Sequence, residues 1–355
     1  MAAPFTLHSQ VDALSAAMDA RDPDGFSDAV TGIGHAVSSS TPDEVQAALV
    51  RLEPALHLPF GIAGGLATLV GSMAEYGTDP TAVVPTLVDR AAEAMESAAR
   101  FAERHRAAFG DPPSPDAHDQ IGPTLERFIG PGGGHGLDER EAELLVQAWF
   151  CADDWVQPVL YLCQRADVRT TLPQRARLVA AIEPVREVYE TPQWLAGLLL
   201  VLDDEPLLVL DRGFAGTGRG YHVTIGGIGD NFQLHTLLAA ALIGEPARGL
   251  LPGRPPTPAE VAAAGTGDDL QPAGGLRGNW NLVDAYGEWI WNEGRPADIP
   301  HLDGVRVVVL DPEPYPRTWN TGRQYPLMSP LLRVDGPLPP AEAADWLRRT
   351  KPSTR

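Results

Sequence analysis

The chain has 355 residues, of which 44% are hydrophobic and 21% charged, so it can bury a substantial core and is not a disordered polymer. Its formal net charge is −20, and residues 1–150 carry 22 acidic against 8 basic side chains. Such a chain lacks the clustered Lys and Arg that bind a phosphate backbone, so no nucleic-acid partner is predicted.

Lys351 is the one lysine of the sequence, and arginine is used almost everywhere else. Together with the abundant Ala, Gly and Pro residues, this usage indicates a GC-rich bacterial genome. P-loop nucleotidases, protein kinases and pyridoxal-phosphate enzymes each need a lysine at a defined place in the fold. Lys351 is too close to the end of the sequence to serve any of them, and no cofactor is predicted.

The N-terminal residues lack the basic segment and long apolar run of a signal peptide. The most apolar stretch, residues 198–202, is too short to span a bilayer, so no membrane partner is predicted. Cys151 and Cys163 lie in a predicted helix at positions about 120° apart around its axis, which is unsuited to a disulfide. We therefore expect a cytoplasmic protein with free thiols.

Residues 1–190 are predicted to form an all-helical domain, either a bundle or an irregular solenoid. Thr41 and Glu44 have the spacing of a capping box at the start of one helix. Residues 80–108 continue with Ala, Leu and interspersed charges at helical spacing. No fixed repeat length is found, so no repeat family is predicted.

Two further helices complete this predicted domain. One begins near Asp138, and Pro158 within it should kink or divide the helix. Another follows Pro173 and runs through residues 174–189. From about residue 191 the sequence changes from helical spacing to short apolar runs.

Residues 191–355 are predicted to form an α+β domain with mainly antiparallel pairing. Two apolar runs, LAGLLLVL and LLVLDR, flank the polar turn at residues 203–206, which predicts a β-hairpin. GYHVTI, EWIWN and VRVVVLD are predicted strands, and NFQLHTLLAAALIG and AEAADWLRR are predicted helices. The Pro- and Gly-rich residues 245–279 are predicted to be a surface loop with one short helix starting at Thr257.

A glycine turn joins the predicted strand GYHVTI to the following helix. Gly226, Gly227 and Gly229 would let a ligand approach the backbone, and Asn231 opens the helix. Free N–H groups and the helix dipole at such a turn favour an anion. This pattern allows a small anionic ligand but lacks the acidic residue that completes a dinucleotide fingerprint.

Two interpretations apply to the polar residues beside this turn. Asp230 and Gln233 have the spacing of a capping box, and His235 lies on an apolar helix face where a hydrogen-bonded core histidine is common. Alternatively, His222 on the strand joins Asp230 and His235 across the turn to form a catalytic group that shares a proton or binds a metal.

Other catalytic arrangements are not supported. No serine occurs between Ser114 and Ser329, and Gly-x-Ser-x-Gly is absent from the sequence, which excludes a serine hydrolase centred there. Asp153 and Asp154 lack the further carboxylate that a magnesium site would need, so no metal is predicted.

Tryptophan and arginine are concentrated near the C-terminus, where five of the eight tryptophans follow residue 279. These residue types dominate recognition surfaces, although they also build cores. The predicted ligand-binding members of this region are Trp289, Trp291, Arg295, Arg317 and Arg323.

The proline-rich residues 312–326 are predicted to form an extended arm. Such an arm should pack over the domain or lie against a partner chain, which allows a homo-oligomer.

Two functions follow from these patterns. The first is a binding or regulatory protein that recognises a protein partner through its helical array and the Trp/Arg-rich region. The alternative is a transferase or hydrolase of a small anionic molecule at residues 220–235, with arginines from residues 295–323 holding the anion. An enzyme requires the turn residues to converge within hydrogen-bond reach, whereas a binding protein uses them for caps and core.

Overall fold

A computed structural model describes residues 6–76, 79–130, 137–213, 218–244, 251–265, 275–319 and 323–353. The chain divides into two compact units: residues 1–163 with 167–199 form the first, and residues 164–166 with 200–355 form the second. The first unit is helical and the second contains a sheet, which confirms the predicted α+β class.

The described part of the first unit contains ten α-helices. They are α1 (Leu7–Ala20), α2 (Pro23–Val37), α3 (Pro42–Leu52), α4 (Phe60–Tyr76), α5 (Val84–Phe109), α6 (Ile121–Ile129), α7 (Glu139–Leu162), α8 (Ala166–Thr170), α9 (Arg175–Ile182) and α10 (Glu190–Leu198). Helix α7 packs along both α4 and α5, and the large side chains Phe60, Phe101, Trp149 and Trp155 are fully buried in this unit. These contacts bury apolar side chains between the helices, which stabilises the unit.

The second unit is built on a mixed, mostly antiparallel sheet. Its elements are β1 (Glu205–Asp211), β2 (Arg219–Gly226), α11 (Asn231–Leu242), α12 (Pro258–Gly265), β3 (Leu276–Arg277), β4 (Asn281–Asp284), β5 (His301–Leu302), β6 (Val305–Asp311), β7 (Thr318–Trp319), β8 (Leu331–Pro337) and α13 (Pro340–Arg349). The sheet order is β4-β6-β1-β2-β8, with β5 paired to β6, and β3 and β7 form a separate ribbon. Strands β1 and β6 run parallel, while the other neighbours run antiparallel.

Alternation along the strands divides the apolar side chains of the second unit between two cores. Leu207 and Val209 of β1 face the core that includes α11, whereas Leu208 and Leu210 face the core that includes Ala343 of α13. Successive strand residues point to opposite faces of a sheet. The sheet is therefore covered on both faces, and its strands are correspondingly rich in Val and Leu.

The predicted helix start at Thr41 is confirmed in detail. The Thr41 hydroxyl accepts a hydrogen bond from the Glu44 N–H at 3.3 Å, and the Glu44 carboxylate accepts one from the Thr41 N–H at 2.8 Å. These bonds favour the ionised form and lower the pKa of Glu44. A capping box of the same kind begins α12, where Thr257 and Glu260 form the two reciprocal hydrogen bonds.

Pro158 does not divide helix α7, contrary to one of the two predicted outcomes. A proline removes the N–H that would bond to the carbonyl four residues earlier, which is that of Asp154. The Thr68 hydroxyl of α4 donates to this carbonyl at 3.3 Å and so supplies a partner. Gly71 of α4 lies against the proline ring and leaves room for it.

Two glycines of α4 should respond oppositely to the same substitution. A Cβ at Gly71 would lie 2.4 Å from the Pro158 Cβ, whereas a Cβ at Gly65 meets nothing within 4 Å. We expect Gly71→Ala to destabilise the first unit by about 1–3 kcal/mol through overpacking. Gly65→Ala should stabilise it by about 1 kcal/mol through helix propensity. Urea unfolding followed by far-UV circular dichroism measures both, and equal effects of the two changes would contradict the packing of α4 on α7.

Two predicted elements are wrong, and a third is shorter than predicted. The first half of the run LAGLLLVL ends helix α10, where Leu195 and Leu198 are buried, and residues 199–202 follow the helix without forming a strand. The antiparallel partner of β1 is β2. The helix after Pro173 ends at Ile182, since Pro184 has no N–H with which to continue it. EWIWN contributes only an isolated bridge between Trp289 and Val283.

Other predictions of the sequence are confirmed or fall outside the described residues. GYHVTI, VRVVVLD, NFQLHTLLAAALIG and AEAADWLRR form β2, β6, α11 and α13. Cys151 and Cys163 are free thiols, and burial raises the pKa of Cys151 to about 11. Much of the predicted loop, residues 245–250 and 266–274, lies outside the described part of the chain.

Candidate functional site

An opening in the second unit lies where two parallel strands end together. Because β1 and β6 are parallel neighbours, Asp211 and Asp311 close their strands at the same edge of the sheet. Antiparallel pairing brings Arg219 of β2 opposite Asp211 and places Trp280, just before β4, at this edge as well.

This crevice has a volume of about 540 Å³, which suits a small organic molecule. We call it the carboxyl-edge crevice. It is lined by Asp211, Gly213, Arg219, Leu251, Pro252, Gly253, Asn279, Trp280, Leu310, Asp311, Pro312 and Glu313.

Asp311, at the end of β6, forms an ion pair with Arg212. Asp311 is 6% exposed, and its Oδ1 lies 2.8 Å from Nε of Arg212. Burial raises the pKa of Asp311 above its usual range, and the neighbouring Asp211 adds to this, while Arg212 opposes it. The ionised Asp311 carboxylate depends on the positive charge of Arg212, because burying an unpaired carboxylate destabilises the folded state.

Glu313 places a second carboxylate on the crevice wall. Its Oε1 is buried without a hydrogen-bond donor in the described part of the chain. Burial raises the pKa of Glu313, and the positive charges of Arg317 and Arg277 offset this only in part. An acceptor without a donor in a crevice wall is a natural contact point for a ligand donor or a bound water.

Behind Trp280, the predicted catalytic His235 is entirely buried. Its Nε2 accepts a hydrogen bond from the Asn279 N–H at 3.1 Å, and its ring stacks on Trp280 at 5.8 Å and meets Trp319 at 5.1 Å. Burial and the nearby Arg317 lower the pKa of His235 to about 3. The imidazole is therefore neutral at physiological pH, and the Asn279 bond fixes the proton on Nδ1.

The proline-rich arm packs over the second unit, as one of the two predictions for it states. Arg317 donates to the Trp280 carbonyl at 2.8 Å, and its guanidinium lies 5.2 Å from the Trp289 ring centroid. Trp319 is 8% exposed and its ring contacts Phe232 at 5.3 Å. Residues 320–322 of the arm lie outside the described part of the chain.

The backbone donors of the glycine turn bond within the protein. Gly227 N–H donates to the Leu202 carbonyl at 3.0 Å, and Gly229 N–H donates to the Gln233 side chain at 2.8 Å. Asn231 N–H donates to the Gly294 carbonyl at 2.9 Å. These three groups are consequently not available to the anion that the sequence pattern allows at this turn.

Close packing accounts for the glycines themselves. A Cβ at Gly226 would come 3.3 Å from the Asp204 nitrogen, and one at Gly229 would come 3.3 Å from the Tyr325 ring. Gly227 has φ +60°, and a Cβ there would lie 2.4 Å from the Ser329 carbonyl oxygen. Neighbouring protein segments occupy the space that a ligand would need.

Asp230 is the N-cap of α11, but the predicted capping box is only half present. Its carboxylate accepts a hydrogen bond from the Gln233 N–H at 2.7 Å. The Gln233 side chain bonds to Gly229 and to the Ala264 carbonyl instead of returning to Asp230. Burial raises the pKa of Asp230 to about 6, and Glu293 adds to this, while the backbone N–H bonds oppose it.

Asp230→Asn should stabilise the second unit at pH 8. Asparagine is as good an N-cap as aspartate but carries no charge to bury. Since the folded pKa of about 6 lies above the reference value of 3.8, the stability from Asp230 is complete below 3.8 and is lost as pH rises through 6. We expect a gain of about 2 kcal/mol at pH 8 and almost none at pH 4 in chemical denaturation.

The exposed N-cap Asp22 of α2 provides the matched control for this substitution. Its carboxylate accepts a hydrogen bond from the Gly25 N–H at 3.1 Å. Asp22→Asn should change stability little at either pH. Equal stability of wild type and Asp230→Asn at pH 8 would show that the buried Asp230 charge does not destabilise the second unit.

The structure does not bring His222 together with Asp230 and His235. Tyr221 and Val223 of β2 point into the core that contains α11, so the intervening His222 points to the opposite face, where it is exposed. Of the two interpretations of these residues, the structure therefore does not show the one in which all three converge. Among the described residues, no cluster of His, Cys, Asp and Glu side chains is arranged to hold a metal ion.

The remaining predicted site residues occupy different places. Asn231 donates to the Trp291 carbonyl at 2.7 Å, and Arg295 N–H bonds to Asp298 at 2.9 Å. The guanidinium of Arg323 donates to the Gly265 carbonyl. These residues form hydrogen bonds that join loops and helix ends of the second unit.

Trp291 is an exposed residue of the Trp/Arg-rich region and lies beside the half-buried Trp289. Their rings stack at 5.4 Å, and Trp291 is 61% exposed.

Sequence reasoning missed the residues that line the carboxyl-edge crevice, among them Asp211, Asp311 and Glu313. A signal was present, because the buried runs LLVLD and VVVLD both end in aspartate. Two such runs would share an edge if the strands were parallel neighbours, but the sequence gives no direct indication of which strands pair.

Comparison with protein-family models, curated proteins and solved structures finds no match to this chain. No helix in the described ranges combines the length and apolarity needed to cross a membrane. The function must therefore be argued from the geometry of the site.

Proposed function

We propose that the chain is a binding protein whose second unit holds a small polar molecule in the carboxyl-edge crevice. The observation that carries this proposal is the 540 Å³ crevice at the joint end of β1 and β6. Because β1 and β6 end side by side, Asp211 and Asp311 come together at this opening.

The lining supports a ligand with both polar and apolar parts. Trp280 offers an aromatic surface, while Asp211, Arg219 and Glu313 offer charged groups of both signs. Pockets that bind small molecules commonly combine apolar walls with a few polar groups that fix orientation.

The placement of the predicted catalytic residues supports binding over the alternative of an enzyme at the glycine turn. Asp230 caps a helix, His235 is a core residue, and His222 faces the other side of the sheet. These are the roles expected of the residues in a binding protein. We also propose a location in the bacterial cytoplasm, which the free buried thiols and the arginine-rich usage support.

A panel of free amino acids, polyamines, short dicarboxylic acids and nucleosides tests the crevice. At least one compound at millimolar concentration should raise the melting temperature of the second unit, because a ligand at 100 times its Kd adds about 2.7 kcal/mol of stability. Asp211→Asn or Glu313→Gln should weaken its binding at least tenfold, whereas His222→Gln on the exposed face should not. Stabilisation that survives both crevice changes would overturn the proposal.

Partner recognition through the Trp/Arg-rich region remains a prediction, and Trp291 is the residue on which to test it. Aromatic side chains with this exposure are typical of interaction surfaces. If the chain forms a homo-oligomer through this region, Trp291→Ala should reduce the mass measured by light scattering to that of a monomer. An unchanged mass of more than one chain would place the interface elsewhere.

A further inference from the structure

Strand alternation decides which charged side chains of the sheet edge face the carboxyl-edge crevice. Asp211 follows Val209 by two positions, so its side chain lies on the face that carries the α11 core. Asp311 follows Val309 by two positions and lies on the α13 face, where it pairs with Arg212. The Asp211 carboxylate therefore faces the crevice, and the Asp311 carboxylate faces away from it.

Asp211 and Arg219 present opposite charges side by side on the crevice face. They are register partners of the antiparallel strands β1 and β2, and directly opposite residues share one face of a sheet. The exposed Arg219 donates a hydrogen bond to the Tyr221 hydroxyl, and the Asp211 carboxylate accepts one from the Gly213 N–H at 3.0 Å. Within the described ranges no arginine forms an ion pair with Asp211. A guanidinium has five N–H donors and a carboxylate about four acceptor sites, so both groups can bind a ligand as well.

The other side of the crevice combines an aromatic wall with a buried acceptor. Strands β4 and β6 pair with Asn281 opposite Asp311, so Trp280 before β4 and Glu313 after β6 lie at the same edge. The Trp280 ring stacks on the buried His235, which fixes its position. The Oε1 atom of Glu313 is buried, and no donor in the described part of the chain reaches it.

The sheet order β4-β6-β1-β2 places these groups in a row along the crevice. Arg219 of β2 comes first, Asp211 of β1 second, Leu310 of β6 third, and Trp280 with Glu313 last. Two strand spacings, about 10 Å, separate Asp211 from Trp280. The row therefore has a cation and an anion next to each other at one end, an apolar middle, and an anion at the other end.

We propose that the ligand of the carboxyl-edge crevice is a basic α-amino acid, an inference that rests on the proposed function. Its α-carboxylate bonds to Arg219 and its α-ammonium to Asp211, since these two groups are adjacent in an amino acid as their partners are in the sheet. The side chain lies along Leu310 and Trp280, and its cationic end bonds to Glu313. Guanidinium groups pair strongly with carboxylates, and the face of a tryptophan ring attracts cations. An extended arginine or lysine side chain covers most of the distance.

A series of ligands that each lack one group tests the three polar contacts in the unmodified chain. L-citrulline replaces the guanidinium of L-arginine with a neutral urea, agmatine lacks the α-carboxylate, and Nα-acetyl-L-arginine lacks the α-ammonium. Titration of the Trp280 indole signal by NMR measures each affinity. All three compounds should bind at least about tenfold more weakly than L-arginine, because each loses a charged hydrogen bond. An affinity for any of them equal to that for L-arginine would overturn the inference.

Three substitutions assign these losses to residues of the crevice. Each should lower the affinity for L-arginine at least about tenfold and leave unchanged the affinity for the compound that already lacks the matching group. Glu313→Gln is paired with L-citrulline, Arg219→Gln with agmatine, and Asp211→Asn with Nα-acetyl-L-arginine. Arg348→Gln removes an exposed charge from α13 and is the control, which should bind all four ligands as wild type does. Equal losses for both ligands of each pair would contradict the assigned contacts.

This inference and the proposed function fail in different ways. If a neutral or anionic compound of the panel shifts the Trp280 signal while L-arginine and L-lysine do not, the ligand class is wrong and the proposed function stands. If no compound of the panel, L-arginine and L-lysine included, raises the melting temperature of the second unit, the proposed function fails and the ligand class fails with it.

Discussion

Replacing His235 with glutamine should remove a large part of the acid sensitivity of the second unit. The folded pKa of about 3 lies well below the reference value of 6.5, so the unfolded chain takes up a proton first as pH falls. The stability from neutral His235 is therefore present above pH 6.5 and is lost as pH falls towards 3. Between pH 7 and 5 this loss amounts to about 2 kcal/mol, and by pH 3 to about 4 kcal/mol.

Glutamine cannot titrate, and its side-chain oxygen can replace Nε2 as acceptor for the Asn279 N–H. We expect the variant to be less stable than wild type at pH 7, because it loses the ring contacts with Trp280 and Trp319. Its disadvantage should shrink by about 2 kcal/mol by pH 5. Asp230 titrates in both proteins, so the comparison cancels its contribution.

Urea unfolding of wild type and His235→Gln at pH 7 and pH 5 provides the measurement. His222→Gln is the matched control, since that histidine is exposed on the other face of the sheet. It should not alter the pH dependence. A constant stability difference between wild type and His235→Gln across this range would show that His235 is not buried in its neutral form.

Gly227→Ala should destabilise the second unit by about 2–4 kcal/mol. The residue has φ +60°, which costs a non-glycine residue about 1 kcal/mol or more, and its Cβ would lie 2.4 Å from the Ser329 carbonyl oxygen. Since the clash involves backbone on both sides, a side-chain rotation cannot relieve it. The segment at 329–330 would have to move away from the turn.

Gly304→Ala separates the cost of a positive φ from the cost of a clash. Gly304 has φ +84°, but a Cβ there would meet no atom within 4 Å. It should cost only the conformational part, about 1 kcal/mol. If Gly227→Ala proves no more costly than Gly304→Ala in thermal unfolding, close packing does not explain the glycine, and a ligand approach to this turn would regain support.

Local chemistry explains which parts of the fold could be predicted from the sequence. The start of α3 was predictable because Thr41 and Glu44 satisfy each other within one turn. Strand β6 and helix α11 were predictable because their apolar patterns extend over several residues. The apolar run before Asp203 fits both helical and strand periodicity, and only the structure shows that its first half ends helix α10.

The site was less predictable because it depends on contacts between distant segments. The glycine pattern at residues 226–229 is the same whether a ligand or Ser329 lies against the backbone. His222 and His235 are close in sequence, but strand alternation places them on opposite sides of the sheet. Asp211 and Asp311 are 100 residues apart, and only the parallel pairing of β1 with β6 brings them to one edge.

Ligand binding in the carboxyl-edge crevice is tested most directly by NMR of the nitrogen-15 indole resonances of the eight tryptophans. The probe is the panel compound that most raises the melting temperature of the second unit. Binding in the crevice should shift the Trp280 indole signal in a saturable manner and leave Trp149 and Trp155 of the first unit unchanged. A saturable shift confined to Trp291, or to the tryptophans of the first unit, would contradict a ligand site at the end of β1 and β6.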